Sequence, residues 1–216
     1  LGKDTMAYDL EEQESLDQLK AWWEKWGTPI TAVITVACLA FAGYNGYRYY
    51  EKNQGAKATA AYVQLQNAVV MDEKKNIKSL SDGLMKEYPK HVFASLAAFS
   101  RAAAAVNEGD LEGAKKALTW VIETGKRPEY ATLARVRLAG VELDLGKPEE
   151  ALSVLKGIEP PEGDVVIYQD RLGDVYYALG DMENARKAWK ASIEADKRVN
   201  ILTPFVTIKL ESLPAE

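Results

Sequence analysis

Cysteine and histidine are almost missing from this 216-residue chain, which has Cys38 and His91 as its single examples. One cysteine cannot close a disulfide within the chain, and a lone cysteine and histidine cannot build a Cys/His metal site. The redox compartment is therefore unreadable from cysteine usage. Basic residues are also short, 27 Lys and Arg against 32 Asp and Glu, which leaves a formal charge of −5. That balance argues against nucleic acid as the main partner, because phosphate binding needs a concentrated basic face. No Gly-rich phosphate loop, nucleophile elbow or metal-ligand spacing occurs. His91 follows Pro89-Lys90 at a helix start, where a surface imidazole is commonplace, and the carboxylates scatter along solvent faces of amphipathic segments. Arg135 and Arg137, two residues apart, fall on different faces of a helix and form no obvious clamp. The expectation is a chain that is not an enzyme, with no catalytic residues, cofactor, metal or small-molecule substrate.

What the chain does have is apolar content, 47%, enough for a real core. Its most concentrated stretch is Thr28 to Tyr44, 17 residues without a charge. At about 1.5 Å per residue this is the short end of a membrane span. Aromatic residues extend it on both sides, with Trp22, Trp23 and Trp26 before and Tyr44, Tyr47, Tyr49 and Tyr50 after. Such rings suit the headgroup boundary, so Trp22, Trp23, Trp26, Tyr47, Tyr49 and Tyr50 are expected at the membrane interfaces. A buried core helix or a cleaved signal peptide are the alternatives. The region ahead of Thr28 is long and acidic, with three Lys against seven Asp and Glu in residues 1–26, unlike a signal peptide's basic start. An uncleaved single-span anchor is expected. The five residues before Met6 are read as an upstream extension. Residues 7–26 are helix-compatible, with Leu16, Leu19, Trp23 and Trp26 on one stripe. Their acidic polar face suits a protein partner at least as well as anionic lipid.

Beyond Tyr50 the chain reads as helical throughout and self-similar. Three turns share a pattern: Asn107-Glu-Gly109-Asp110, Asp144-Leu-Gly146-Lys147 and Ala178-Leu-Gly180-Asp181. The glycines are 37 and 34 residues apart, and each is followed five residues later by an alanine: Ala114, Ala151 and Ala185. Glycine can end the first helix of a hairpin in a left-handed conformation, and alanine lets the second helix pack closely. The segment Leu172-Gly173…Tyr176…Gly180-Asp181…Ala185…Trp189 resembles a tetratricopeptide repeat (TPR), and two earlier units keep mainly its small residues. A weaker hairpin, about 56–70 and 76–87, precedes them. Thr203-Pro204 can start a final helix with Thr as N-cap and Pro at its first position, and Phe205, Ile208, Leu210 and Leu213 could cap the last repeat. The expected fold class is all-α, a single N-terminal transmembrane helix followed by a TPR-like α-solenoid of helical hairpins with a C-terminal capping helix. The expected segments are 1–26 (acidic, with a juxtamembrane amphipathic helix), 27–50 (transmembrane helix) and 51–216 (repeat domain).

The order of features narrows the resemblance. An acidic head with Glu11-Glu12-Gln13-Glu14 and Lys20-Ala21-Trp22-Trp23 comes first, then Trp26-Gly27-x-Pro29, then Tyr47-Arg48-Tyr49-Tyr50. Divergent repeats follow, and the chain closes on Ile208-Lys209-Leu210-Glu211-Ser212-Leu213. From Met6 onward this layout resembles the YfgM family, bacterial inner-membrane proteins that are ancillary subunits of the SecYEG translocon. The resemblance implies a cytoplasmic N-terminus, a periplasmic repeat domain, and partnership with SecYEG and the membrane-anchored chaperone PpiD. The nearby basic residues, Lys20 and Lys25 before the span against Arg48, Lys52 and Lys57 after it, point the other way by one residue. The resemblance is preferred over so small a difference.

Aligning the repeats on their turn glycines places Leu96, Phe99 and Val106 toward a concave groove in the first unit. Leu133, Val136 and Leu143 follow in the second, and Ile167, Asp170, Asp174 and Tyr177 in the third. Such a surface, mainly apolar with an acidic edge, suits an apolar helix or extended segment. The alternative is that these residues are core, covered by a neighbouring helix or by the chain's own tail. The function expected is a translocon accessory scaffold that joins SecYEG to PpiD and to translocating clients. The alternatives are a regulatory tether, whose acidic head sequesters a cytoplasmic signalling protein, and a client-binding holdase.

Overall fold

A computed structural model describes the backbone of residues 4–125, 127–196 and 202–214, and side chains from residue 14 onward. The carboxylates of Glu11 and Glu12 thus lie outside the described side chains. Helices make up the fold, and the described residues include no strand. The chain packs as two compact units that divide between Gln54 and Gly55.

The first unit holds most of helix α1 (Asp4–Val70). Among the described helices α1 is long and apolar enough to cross a membrane, and little of its apolar window is buried within the protein. Pro29 lies inside the helix and cannot donate to the carbonyl four residues back. Threonine hydroxyls stay local here: Thr31 donates to Gly27 O at 2.8 Å and Thr35 to Thr31 O at 2.7 Å. No polar side chain is thus required to leave the helix for a partner. Trp23 folds over Gly27, where a Cβ would come within 3.0 Å of the indole. The six aromatics expected at the interfaces, Trp22, Trp23, Trp26, Tyr47, Tyr49 and Tyr50, are all exposed. Trp26 and Tyr47, 21 positions apart, are separated by about 31 Å along a helix, close to the hydrocarbon thickness. Lys25 lies 5.9 Å from the Trp26 ring and Arg48 5.8 Å from Tyr44.

The second unit begins with the end of α1 and continues through α2 (Lys74–Glu87), α3 (Val92–Asn107), α4 (Leu111–Glu123), α5 (Ala131–Asp144), α6 (Pro148–Leu155), α7 (Val165–Ala178), α8 (Met182–Ala195) and α9 (Thr203–Glu211). Consecutive helices pack as hairpins, and each hairpin packs on the next, as in a solenoid. The turn glycines explain the chain reversals. Gly109, Gly146 and Gly180 have φ of 76°, 72° and 78°, a left-handed conformation that other residues adopt at a cost. The residue after each closes the helix end: Asp110 N–H donates to Ala105 O, Lys147 to Glu142 O and Asp181 to Tyr176 O, at 2.8, 2.8 and 2.9 Å. The same aspartates then start the next helix. Asp110 accepts from Gly113 N at 2.9 Å and Asp181 from Asn184 N at 3.1 Å, while the middle hairpin uses Pro148 instead.

Ala114, Ala151 and Ala185 are fully buried at the hairpin crossings. In the last hairpin Gly173 faces Trp189, and a Cβ there would collide with the indole. Four apolar clusters run in sequence along the unit, from Leu65, Ile77 and Leu84 to Trp189, Val206 and Leu213. Two charged contacts add register. Lys115 pairs with the buried Glu142 at 2.8 Å, and the buried Arg101 with Asp110 at 3.6 Å.

The capping helix differs from its sequence reading in two details. Its first helical residue is Thr203, with Pro204 next, and the cap comes from Asp196, whose Oδ2 accepts from Leu202 N and Thr203 N at 2.9 Å each. A carboxylate fixed at the end of α8 satisfies N–H groups at the start of α9, and the Thr203 hydroxyl donates to the same carboxylate at 3.0 Å instead of capping the helix. The helix and the residues after it pack the buried Val206 and Leu213 and the partly buried Leu210, spaced i, i+4, i+7, against Trp189 and Ala185. Phe205 and Ile208 instead point outward, 64% and 66% exposed. Val206 was overlooked because the apolar residues of α9 surround the helix, so periodicity does not choose a face.

Candidate protein-interaction groove

A cavity of about 400 Å³ opens in the second unit between the end of α1, the start of α2, and helices α3 and α5. Its apolar lining includes Leu96, Phe99 and Leu133, joined by Tyr62, Ile77 and Tyr130. Phe99 is the best buried of the first three, set at 6.0 Å edge-on to Tyr130. Tyr62 is stacked on Phe93 at 4.5 Å, and Phe93 is held by His91, whose Nδ1 accepts from Phe93 N at 3.4 Å. Burial and the nearby Arg127 hold the His91 imidazole below its ordinary value, so it stays a neutral acceptor over a wider range of acid pH.

Arg137 lies over this lining. Its guanidinium is 4.7 Å from the Phe99 ring, and burial alone lowers its affinity for the proton. Neither Arg135 nor Arg137 forms a clamp with the other. Arg135 donates to Val154 O at 3.2 Å and ties α5 to α6, whereas Arg137 faces the cavity. Arg137 follows Leu133 by four residues and so shares its helix face, a relation visible in the sequence.

The other expected groove residues have different surroundings. Val106 on α3 is exposed and lies outside the cavity lining. Val136 is buried, and with the partly buried Leu143 and Ile167 it belongs to the core formed by α5, α6 and α7. On α5 the cavity face passes through 133 and 137, and position 136 is turned about 100° from 137, into the core. Tyr177 is 49% exposed, its ring 5.9 Å from Trp189.

Asp170 and Asp174 are covered by the chain's own tail. Lys209 Nζ on α9 reaches Asp170 Oδ1 and Asp174 Oδ1, both at 2.7 Å. Asp174 also accepts from Arg171 at 3.2 Å, and its Oδ1 lies 3.3 Å from the Trp189 indole nitrogen, a donor. Burial pushes the Asp174 carboxyl above its ordinary range, against the opposing pull of Lys209 and Arg171. The candidate residues Leu96, Phe99 and Leu133 thus border an open cavity, whereas Asp170 and Asp174 on α7 are covered by α9.

Comparison with known proteins follows the same outline. Residues 20–215 match the family described as a tetratricopeptide repeat-like domain. A protein of Neisseria gonorrhoeae named "Ancillary SecYEG translocon subunit" is 30% identical over 213 residues, 96% of this chain and all of that protein. Proteins with the same name from Aggregatibacter actinomycetemcomitans and Escherichia coli are 29% and 26% identical, over 88% and 94% of this chain and 92% and 96% of their own length. The match takes in the apolar helix as well as the hairpins, and the chain belongs to the family of ancillary SecYEG translocon subunits, the YfgM family, built on a tetratricopeptide repeat-like domain.

Proposed function

We propose that this chain is a single-pass inner-membrane scaffold that associates with the SecYEG translocon and links it to the PpiD chaperone and to translocating clients. The observation that carries the reading is relatedness over almost the whole chain to a protein named as a translocon subunit. The layout supports it, with an acidic head over 1–26, a span over 27–50 and a repeat domain from 51. In this reading the head is cytoplasmic, the repeats are periplasmic, and Trp22, Trp23, Trp26, Tyr47, Tyr49 and Tyr50 sit at the two interfaces. Partner contact falls to the unfilled end of the groove, at Leu96, Phe99 and Leu133, because an exposed apolar concavity of this size suits a side chain of a protein segment. Crosslinking in native membranes with identification of the adducts tests this. Recovery of Sec components and a membrane-anchored chaperone is the expected result, and their absence contradicts it. Protease protection on oriented membranes tests the topology independently, since periplasmic repeats are cleaved only from that side.

A further inference from the structure

We infer that the open cavity selects a protein segment carrying an apolar anchor side chain with a carboxylate within a few residues of it, and that Arg137 reads the carboxylate. This rests on the groove reading above and adds the chemistry of the partner. The other described arginines of the repeat unit are answered from within it, Arg127 by Glu129 and Arg186 by Pro214 O among them. Arg101 pairs with Asp110, Lys115 with Glu142, Arg171 with Asp174, and Lys209 with Asp170 and Asp174. Arg135 is held by a main-chain carbonyl. Arg137 has the Phe99 ring beneath it and no ion pair with a described residue.

A guanidinium held over an aromatic ring by cation–π attraction still has N–H groups to donate, in the fork that matches a carboxylate. Although Arg137 is exposed overall, the Phe99 ring takes water from one side of its guanidinium, and burial is the influence that lowers its pKa. Lys74 and Asp72 also line the mouth, so with Arg137 it carries one net positive charge. Asp72 disfavours a strongly acidic ligand, which fits one carboxylate beside an anchor better than a run of them. The volume is at the small end for ligand sites and suits one large side chain. Val69 lines the cavity, and its neighbours Val70 and Met71 are 84% and 70% exposed, so apolar surface continues beyond the mouth. A continuous segment can lie along it, which favours a peptide over a small amphiphile. Asn107 and Ser100 on the lining offer polar groups to its backbone.

The test uses the full chain in lipid nanodiscs and a panel of fluorescent 12-residue peptides. Each peptide has one Leu or Phe in a Ser/Ala background, with Glu, Gln or Lys at one flanking position. The wild-type chain is expected to bind the Glu peptides about tenfold more tightly than the Gln peptides, as a charge-assisted hydrogen bond implies, with Lys weakest. Arg137→Gln should bring Glu and Gln peptides to equal affinity, and Arg137→Glu should reverse the order. Arg137 is exposed, so both variants should fold, and thermal melting checks this. Equal wild-type binding of Glu and Gln peptides overturns the inference while leaving the groove reading intact. Failure of every anchored peptide to bind overturns both. Self-association that Arg137→Glu abolishes would give the site to a second copy, through the exposed Phe205, Ile208 and Glu211 of α9, and overturns the inference. Displacement of bound peptide by anionic phospholipid vesicles overturns it in favour of a lipid headgroup.

Discussion

The candidate groove residues of the repeat unit have opposite surroundings in its early and late hairpins. On α7 two carboxylates converge, and a lysine from α9 fills the space between them. On α3 and α5 an aromatic floor and a cation face an open cavity. The same repeat geometry thus produces a finished surface at one end and an unfinished one at the other. Solenoid ends need a cap because the last hairpin cannot bury its own inner face. Here α9 supplies the apolar cover through Val206, Leu210 and Leu213 and the charge cover through Lys209. No described helix does the equivalent over the cavity beside Leu96 and Leu133. A site is easier to recognise as the part of a repeated surface that its own chain leaves unanswered than as a sequence motif.

Breaking the finished end should have the largest effect. Trp189 is almost fully buried where α7, α8 and α9 meet, and Trp189→Ala should cost about 3–5 kcal/mol of unfolding free energy. Circular dichroism during denaturation would register this as early loss of helix. Lys209→Ala leaves Asp170 and Asp174 facing each other without their shared cation. Lys209 retains 34% of its side-chain exposure, so water and salt soften the loss to about 1–2 kcal/mol. Double replacement of Asp170 and Asp174 by Asn in the Lys209→Ala background should recover much of it, and no recovery would mean that the lysine acts by packing alone.

The open end should respond weakly in stability. The folded His91 pKa lies below its ordinary 6.5, so the unfolded chain takes up the proton more readily. Stability from this group is therefore constant above pH 6.5 and declines as pH falls from there through the folded pKa. Asn at 91 can still cap α3 and does not titrate, so His91→Asn should flatten that acid limb of a melting-temperature profile. Smallest of all, Arg137→Ala should leave unfolding free energy within about 0.5 kcal/mol, because Arg137 is exposed and supports no other charge. A large loss there would mean that the cation–ring contact serves the fold rather than a partner.

Much of the architecture was legible because local rules governed it. Gly109, Gly146 and Gly180 announce left-handed turns, and the alanines five residues later announce close crossings. The apolar run with its two aromatic clusters announced a helix long enough for a span. What escaped depends on residues far apart in sequence. Lys209 meets carboxylates 39 and 35 positions away, and Asp196 binds the start of α9 from 6 and 7 positions before it. Aligning on glycines does not fix helix rotation to better than one residue, so of the groove candidates Leu133 lines the cavity while Val136 lies in the core of α5, α6 and α7. Arg137 went unnoticed because its role comes from Phe99 on another helix rather than from its neighbours.

The contrast between the two ends can be measured directly by placing a photo-crosslinking residue at Ala103 or Leu133 on the open end, and at Ile167 or Asp170 on the filled end, of the full chain in native membranes. The account predicts adducts with other proteins from 103 and 133, and only intrachain products or none from 167 and 170. Partner adducts from 167 or 170 with none from 103 and 133 would contradict it.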